Sequence, residues 1–389
     1  MSPNTLNEDL SPIRESVRAL CADFPGEYWR ALDRERAYPE EFVAALTKAG
    51  FLAALIPEEY GGSGLDMNAA TAIMEEIQAS GCNGAACHAQ MYTMGTVLRH
   101  GSAEQKKRYL PGIARGELRL QAFGVTEPTS GTDTLGLRTT AVRDGNDAYV
   151  INGQKIWTSR AEHSDLMLLL ARTTPREQVA KRTAGLSVFL VDMREVKGKG
   201  LTIRPIRTMM NHATTEVFFE NMRVPAENLI GTEGEGFRYI LSGMNAERIL
   251  IGAECIGDAK WFIGKAKTYA GERAVFGRPI GQNQGVQFPI ARAYIGMRAA
   301  ELMVREAASL YEAGKDCGAE ANMAKHLAAE ASWAAADMCL QTHGGFGFAE
   351  EFDIERKFRE TRLYTVAPIS TNLVLSYIAE HVLGLPRSY

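Results

Sequence analysis

The stretch around which this chain is organised is Phe123-Gly124-Val125-Thr126-Glu127-Pro128-Thr129-Ser130-Gly131-Thr132-Asp133. It begins with apolar residues and continues into small hydroxyl residues, a proline and a glycine, without any Lys or Arg. Backbone N–H groups and hydroxyls in such a segment are able to donate to an anionic or heterocyclic ligand. Taken alone, the segment predicts a strand followed by a tight turn, because Pro-x-x-Gly is ordinary turn chemistry.

The composition is typical of a soluble globular protein. With 389 residues, 46% of them hydrophobic and 23% charged, the chain is long enough for two or three domains. A net charge of −4 gives no reason to expect nucleic acid or an anionic membrane as a partner. No apolar run approaches the ~20 residues that span a bilayer, and the N-terminus lacks the apolar region of a signal peptide. We therefore expect a cytoplasmic protein that does not insert into membranes.

The six cysteines are scattered along the chain, which argues against a disulfide framework and against a zinc site. Cys82 and Cys87 have no second pair to complete a metal site, and no His-Glu-x-x-His pattern occurs. We therefore expect reduced thiols, most of them buried, and no bound metal.

The first 119 residues or so have a helical pattern. Pro39 begins one helix, with acidic residues next and apolar residues at helical spacing, and Gly50 ends it. A second helix is predicted at 68–80. A third is predicted at 104–110 and is expected to end at Pro111.

From about 120 to 235 the pattern changes to strands and turns. Asp144-Gly145 and Asn152-Gly153 are hairpin signals on either side of a short apolar segment. Further strands are predicted at 166–171, 186–191, 201–204 and 216–219. This part of the chain therefore predicts a small β-domain.

From about 236 onward the helical period returns. Apolar residues recur at three- and four-residue steps and predict an amphipathic face, at Phe288, Ala291, Ile295, Ala299 and Leu302. The alanine-rich stretch 319–343 lacks Gly and Pro, which suits close helix packing. The sequence therefore predicts an α+β fold with an N-terminal helical domain (1–119), a middle β-domain (120–235) and a C-terminal helical bundle (236–389).

Three later motifs change the interpretation of the opening stretch. They are Lys155-Ile156-Trp157-Thr158-Ser159, Arg273-Ala274-Val275-Phe276-Gly277-Arg278 and Gln341-Thr342-His343-Gly344-Gly345-Phe346-Gly347-Phe348. In this order and spacing the motifs resemble the acyl-CoA dehydrogenase family of flavoproteins, and the resemblance covers nearly the whole chain from residue 56 onward. Several separated motifs in register are far more specific than any one of them. The family has the same succession of helical, β and helical domains.

The resemblance implies flavin adenine dinucleotide (FAD) as the cofactor. Thr126 would approach the pyrimidine side of the flavin, Trp157 would lie against the isoalloxazine, and the Ser159 hydroxyl would reach the flavin N5. Arg273 matches the position whose guanidinium meets the pyrophosphate, a bidentate task that suits Arg. Judged alone, Trp157 would be a core residue and Arg273 a solvated charge. The other matched positions are Phe123, Val125, Thr132, Thr158, Phe276, Asn283, Gln284, Gln341, Gly344, Gly345, Ser370 and Asn372.

The reaction implied by the resemblance removes two hydrogens from the α and β carbons of an acyl-CoA thioester. A carboxylate takes the α-proton, and such a base works best when desolvation raises its pKa. Most of the family carries this base near the C-terminus, but the matching segment 364–371 contains no Glu. The isovaleryl and long-chain branches place the base where Glu247 stands, so we expect Glu247 to be the catalytic residue. Thr132, Asn245 and Arg248 are expected to contact the substrate.

Two features of the candidate site leave alternatives open. Judged without the resemblance, Glu247 beside Ile249-Leu250-Ile251 suits a buried base and a helix-surface carboxylate equally well. In the family, one backbone N–H helps to hold the thioester carbonyl. Pro368 lies at that position in this chain, and proline has no N–H. Either the loop shifts so that Ile369 donates, or the flavin alone holds the carbonyl. The hypothesis is that the loop shifts.

Several functions agree with these motifs. The first is an acyl-CoA dehydrogenase of fatty acid β-oxidation, assembled as a homotetramer, that passes electrons to an electron-transferring flavoprotein. The second keeps the fold and changes the chemistry to an enoyl-CoA reductase, an oxidase or a desulfinase. The third is a non-catalytic partner subunit, against which the flavin motifs and the base both argue. Acyl chain length, branching and the physiological direction are not encoded in any motif we recognise.

Overall fold

The structure is a computed structural model that describes residues 10–387. Helices come first along the chain: α1 (Ser11–Ala22), α2 (Gly26–Glu35), α3 (Glu40–Lys48), α4 (Met67–Ala79), α5 (Ala85–His100) and α6 (Ala103–Arg115). Strands follow, with one short helix among them: β1 (Leu120–Gly124), β2 (Thr140–Asp144), β3 (Ala148–Ser159), β4 (Leu166–Arg172), β5 (Leu186–Asp192), α7 (Met193–Val196), β6 (Leu201–Pro205), β7 (Thr214–Pro225) and β8 (Leu229–Ile230). The last part contains α8 (Gly236–Glu272), the small strands β9 (Ala274–Val275) and β10 (Arg278–Pro279), α9 (Gln284–Glu312), α10 (Gly318–His343), α11 (Ile354–Thr361) and α12 (Thr371–Tyr377). This succession confirms the predicted α+β fold.

The chain divides into two compact units that do not follow its order. The sheet unit comprises Arg36–Leu65 and Ala85–Met244, and it contains α3, α5, α6 and strands β1 to β8. The helical unit comprises Met1–Glu35, Asp66–Gly84 and Asn245–Tyr389. The three-domain boundaries expected from the sequence stay a prediction.

The sheet unit is built on a strand order of β6-β7-β3-β2-β4-β5-β8, with β1 paired parallel to β4. Every residue of β4 and β5 is buried. Successive side chains on a strand point to opposite faces, so Leu168 packs in a cluster with Tyr109 and Ile113, while Leu169 packs in another with Tyr149. Because both faces of these strands are covered, their sequences are continuous apolar runs rather than alternating ones.

Two sequence-based boundaries are wrong. The helix expected to end at Pro111 continues to Arg115 and ends at Gly116, whose φ is 76°. Tyr109 and Ile113, on either side of the proline, are both buried in the same apolar cluster, so packing outweighs the lost hydrogen bond. The second hairpin signal, Asn152-Gly153, lies inside the continuous strand β3.

Gly153 marks a bulge rather than a turn. The register between β3 and β7 shifts there, and φ at Gly153 is 147°. A Cβ atom at this position would lie 2.5 Å from the Thr139 Oγ1 atom. Glycine is therefore required by close approach and backbone conformation together. The Asp144-Gly145 signal, in contrast, lies at the connection of the antiparallel pair β2 and β3.

The helical unit packs its long helices through small residues. The α10 helix buries Ala321, Ala324, Ala328 and Ala335, which confirms the close packing expected from its alanine content. The α9 helix differs from expectation because its large apolar residues face outward: Phe288, Ile295 and Leu302 are 50%, 67% and 61% exposed. Its buried face is made instead of Ala293, Met297, Ala300 and Val304.

Candidate active site

The opening segment and the Lys155–Ser159 segment lie side by side in the sheet unit. The Ile156 N–H donates to the Thr126 carbonyl at 2.9 Å, and the Lys155 Nζ donates to the Val125 carbonyl at 3.0 Å. Val125 and Thr126 directly follow β1, and Lys155 lies in β3. The structure therefore brings together two of the segments that the sequence assigns to the flavin.

A tight turn follows Thr126. Glu127 and Ser130 exchange two backbone hydrogen bonds of 3.1 Å, and the Ser130 hydroxyl donates to the Asp133 carbonyl. Within the turn and after it, Pro128 and Thr132 are exposed. The turn predicted from Pro-x-x-Gly is present, and it presents the Thr132 hydroxyl at the surface of this unit.

Trp157 is held in a conformation that exposes its ring. Its φ is 61° and its side chain is 57% exposed, whereas Thr158 is buried and Ser159 half-buried. A large apolar residue with positive φ is rare and is found where the surroundings impose it, often at ligand sites. The Thr158 hydroxyl is buried and has no hydrogen-bond partner among residues 10–387.

Three residues beside the predicted flavin segments are marked by no motif: Arg160, His212 and Tyr92. Arg160, with φ 58° and buried, holds its Nη2 atom 3.2 Å from the Nδ1 atom of His212. Burial and the neighbouring Arg160 charge lower the pKa of His212 well below its ordinary value, so its imidazole is neutral and accepts from the guanidinium. The Phe123 ring packs edge-on against Tyr92, 5.5 Å between centroids. No motif marks these contacts, because they join residues from separate elements.

Glu127 and Lys155 lie within two of the motifs, but neither the motifs nor the resemblance predicts a role for them. The Glu127 carboxylate accepts from the Lys155 Nζ at 2.8 Å and from the backbone N–H groups of Arg138 and Thr139, at 2.6 and 2.9 Å. The Lys155 side chain is fully buried and that of Glu127 is 4% exposed. The available signal was that Glu127 and Lys155 carry opposite charges within motifs made mostly of apolar and small hydroxyl residues.

The candidate base lies in the helical unit. Glu247, on α8, is 8% exposed, and Ile249 and Leu250 beside it are fully buried. Arg248 is 7% exposed and donates from Nη1 to the Asn245 Oδ1 atom at 2.8 Å. Burial lowers the pKa of Arg248, and the Glu247 carboxylate opposes that change. Of the two interpretations of Glu247, the buried carboxylate is the one present.

Arg273 and the glycine-rich motif meet in the same unit. The Arg273 guanidinium lies over the Phe346 ring, 5.7 Å from its centroid. Tyr269 stacks on His343 at 4.2 Å and so packs the end of α8 against the end of α10. Gly344, directly after α10, has φ 58°, and added Cβ atoms at Gly344 or Gly345 would meet nothing within 4 Å. The motif is an open, uncrowded backbone beside an exposed guanidinium.

The hairpin after Arg273 carries the next group of predicted cofactor residues. Phe276 lies between β9 and β10 with φ 54° and is fully exposed. Asn283 accepts from the Arg278 Nη2 atom at 3.0 Å, and Gln284 begins α9. Gln341 is also exposed, near the end of α10. These side chains are directed outward rather than into the core of their own unit.

The C-terminal segment is fixed by a buried lysine. Lys325, 1% exposed on α10, donates from Nζ to the Ile369 carbonyl at 2.8 Å. The neighbouring Pro368 follows a cis peptide bond. Ser370 caps α12, accepting from the Leu373 N–H, and Asn372 is exposed.

These residues fit a bound FAD. An exposed indole held at positive φ suits stacking on a heterocycle, and the orphaned Thr158 hydroxyl is an unmet hydrogen-bonding group. An exposed arginine beside an open Gly-Gly backbone suits a pyrophosphate. No cluster of His, Cys, Asp or Glu arranged to hold a metal ion occurs within residues 10–387. The exposed indole and the arginine beside the glycine-rich motif thus define a flavin-dependent class of enzyme.

Comparison with known proteins identifies the family. Profiles for the N-terminal, middle and C-terminal domains of acyl-CoA dehydrogenases match residues 7–117, 122–222 and 234–383. The chain is 36% identical over 386 residues to an acyl-CoA dehydrogenase, fadE12, of Mycobacterium bovis, covering 98% of both chains. It is 32% identical to a glutaryl-CoA dehydrogenase of Desulfococcus multivorans, again covering 98% of both. The chain belongs to the acyl-CoA dehydrogenase family.

Solved structures agree with this assignment. A glutaryl-coenzyme A dehydrogenase in complex with glutaryl-CoA superposes with a TM-score of 0.91 at 30% identity, covering all of this chain and 98% of the other. An FAD complex of PigA superposes with a TM-score of 0.91 at 25% identity, covering 99% and 100%. The protein is therefore an FAD-dependent oxidoreductase that acts on acyl-CoA. Between residues 10 and 387, none of the helices has the length and apolar character needed to cross a membrane.

Proposed function

We propose that this protein dehydrogenates the α,β-bond of an acyl-CoA thioester with Glu247 as the base. The observation that carries the proposal is a carboxylate 8% exposed among fully buried aliphatic neighbours, in a chain whose segment 364–371 has no Glu. A carboxylate held largely out of bulk water is a residue type that enzymes use as a general base. Arg248, Asn245 and Thr132 are proposed to contact the thioester substrate.

The cofactor is proposed to be held by the residues that match the flavin motifs of the family. Bound FAD would supply the acceptor for the β-hydrogen of the substrate. Ser159 and Thr126 donate hydroxyl hydrogen bonds to the isoalloxazine, and Trp157 covers it and keeps water out. Arg273 holds the pyrophosphate, with further contacts from Phe123, Val125, Thr158, Phe276, Asn283, Gln284, Gln341, Gly344, Gly345, Ser370 and Asn372.

The thioester carbonyl is proposed to accept from the Ile369 N–H. Pro368 lacks a backbone donor, and losing one such donor costs ~10²-fold or more in rate. The Lys325 Nζ holds the Ile369 carbonyl, which restrains the orientation of the following peptide group. A structure with bound acyl-CoA in which no backbone N–H points to the carbonyl would contradict this step.

A reductase is the second candidate, and named relatives favour it. A 3-(aryl)acrylate reductase of Clostridium sporogenes and an NADH-dependent acryloyl-CoA reductase of Anaerotignum propionicum are both 32% identical to the chain. The same base serves in either direction, because protonation of the α carbon is the reverse of its deprotonation. The position of the base therefore does not distinguish a dehydrogenase from a reductase, and a measurement of the reaction is needed.

An anaerobic titration of the yellow protein with a panel of saturated acyl-CoAs, following flavin bleaching, tests the proposed function. Bleaching by one saturated thioester establishes dehydrogenation and identifies the acyl class. If no saturated thioester bleaches the flavin, while enoyl-CoAs reoxidise the dithionite-reduced protein, the reductase is correct.

The role of Glu247 is tested by Glu247→Gln, with Glu254→Gln as its matched control. Glu254 lies seven residues further along α8 and is more deeply buried, at 1% exposure, but we give it no role in the chemistry. We expect Glu247→Gln to retain FAD and to lose at least ~10³-fold in the rate of flavin reduction, while Glu254→Gln stays within ~tenfold. Equal losses in the two variants would show that Glu247 is not the base.

Assembly as a homotetramer, and electron transfer to an electron-transferring flavoprotein, complete the proposal. The outward apolar face of α9, with Ile295 and Leu302 more than half exposed, supports burial against another copy of the chain. Light scattering on Ile295→Glu/Leu302→Glu should detect a smaller species than the parent. A parent that is already monomeric would contradict the tetramer without affecting the chemistry.

A further inference from the structure

We propose that Lys155 and Glu127 are positioning residues that fix the two flavin-facing segments of the sheet unit at their working distance. The pair joins three stretches of chain: the end of β1, the residues before β2, and the middle of β3. Lys155 bonds both the Glu127 carboxylate and the Val125 carbonyl. Glu127 in turn accepts from two consecutive backbone N–H groups, those of Arg138 and Thr139.

The pair is buried and fully engaged. Burial alone raises the pKa of Glu127, but the Lys155 charge and the two N–H donors outweigh it and bring the pKa below its ordinary value. The carboxylate is therefore ionised in the folded protein. A buried ion pair resists displacement when additional hydrogen bonds satisfy its remaining atoms, as they do here.

The packing around the pair leaves little room for adjustment. A Cβ atom on Gly124 would lie 3.1 Å from Leu169 Cδ1, 3.2 Å from Met167 Sδ and 3.5 Å from Lys155 Cγ. The first two distances are tighter than ordinary contact. The Lys155 side chain therefore passes beside Gly124, where a larger residue would press on Leu169 and Met167.

The pair lies next to the residues that are proposed to contact the flavin. Glu127 directly follows Thr126, and Lys155 precedes Trp157 and Ser159 by two and four residues. The Ile156 N–H bond to the Thr126 carbonyl lies between them. The pair thus sets the spacing between the hydroxyls of Thr126 and Ser159, and a change in this spacing weakens both hydrogen bonds to the flavin together. This inference rests on the proposed placement of FAD against these residues.

The test compares holoenzymes that differ in this pair. Glu127→Gln/Lys155→Met removes both charges at similar volume, so neither is left buried alone. Rapid dilution of each holoenzyme at neutral pH, followed by flavin fluorescence, gives the rate of FAD release. We expect release at least ~10-fold faster than in the parent, with an altered visible circular dichroism of the flavin that remains bound. Glu127→Gln alone keeps a hydrogen-bond acceptor for Lys155 but leaves the lysine charge unpaired. It should give at least ~3-fold faster release and serves as a second variant if the double variant does not fold.

The matched control is Lys357→Met, which removes a fully buried lysine bound to a carboxylate in the helical unit. We expect its FAD release to stay within ~2-fold of the parent and its flavin dichroism to be unchanged. Equal acceleration in the control and in the Glu127 and Lys155 variants would mean general loosening and would overturn the proposal. Unchanged release in those variants would also overturn it. Because release is measured without substrate, these outcomes are independent of whether any acyl-CoA reduces the flavin.

Discussion

The protein contains two buried pairs of the same chemistry in different surroundings. Lys155 and Glu127 lie in the sheet unit, and Lys357 and Asp258 lie in the helical unit, with both lysines fully buried. Glu127 accepts from two backbone N–H groups besides its lysine. Asp258 instead has further carboxylates nearby, those of Glu360 and Glu254, which raise its pKa.

The pKa directions of the two carboxylates are opposite as a result. The pKa of Glu127 lies below its ordinary value. Burial raises the pKa of Asp258 to about 6, although Lys357 opposes the change. The comparison shows that a buried lysine alone does not decide whether a carboxylate is stabilised as the anion. Burial, backbone donors and neighbouring like charges decide it together.

The largest effect is expected for Lys357→Met. The substitution leaves Asp258, which is fully buried, without its cation, and such losses cost about 3–5 kcal/mol. The midpoint of urea unfolding, followed by far-UV circular dichroism, should fall accordingly. A loss below about 1 kcal/mol in the free energy of unfolding would show that the surrounding residues compensate for the unpaired Asp258 carboxylate. Gln78, which also contacts Lys357, is one of these residues.

A smaller effect is expected for Lys155→Met in the same assay. Glu127 keeps its two backbone donors, so losing the charged hydrogen bond from Lys155 to this carboxylate should cost about 1.5–3 kcal/mol. The Val125 carbonyl loses its bond from Lys155 as well. The comparison fails if Lys155→Met is the more destabilising of the two lysine substitutions.

The free energy of unfolding should change with pH in opposite directions for the two pairs. Asp258 has a pKa of about 6 in the folded chain and about 3.8 unfolded, so the folded state binds more protons between these values. Its contribution is present at low pH and is lost as pH rises through 6, by about 1 kcal/mol between pH 5 and 7. Melting of Asp258→Asn at pH 5 and 7 should therefore show a smaller loss on going to pH 7 than the parent shows.

Glu127 should behave in the opposite way. Because folding lowers its pKa, its contribution is present above the ordinary glutamate value and is lost as pH falls. Glu127→Gln should thus be less sensitive to acid than the parent in melts from pH 6 down to pH 4. The same acid sensitivity in both proteins would contradict an ionised, stabilised Glu127.

The smallest effect is expected at the exposed pair Arg115–Glu117, whose side chains are both 60% exposed. Water screens both charges, and exposed pairs of this kind contribute little. Glu117→Gln should leave the melting temperature unchanged within error. A measurable shift would mean that surface charge, not burial, governs ion pairs in this protein.

Much of the fold follows from local sequence. Continuous apolar runs predicted β4 and β5, and alanine content predicted the packing of α10. The prediction failed where tertiary contacts outweigh local preference, as in α6, which continues through Pro111 because both flanking turns are buried. It also failed at Gly153, where close approach of Thr139, the residue before β2, rather than a turn requires the glycine.

The flavin motifs and the candidate base were available from sequence because each is a short run of residues with a fixed order. Their roles stay predictions, although Glu247 is buried, as a base requires. Sequence alone did not couple Lys155 to Glu127, which are 28 residues apart. Only the fold brings them together, because β1 and β3 pass side by side.

The family, the α+β succession of elements and the positions of the motifs can be predicted from the sequence. Periodicity and residue order carry that information, since each depends on neighbours along the chain. The state of each buried charge, in contrast, depends on the folded arrangement. The pKa of Glu127 or Asp258 depends on donors and charges contributed by distant segments, and no local pattern records which of them will be near.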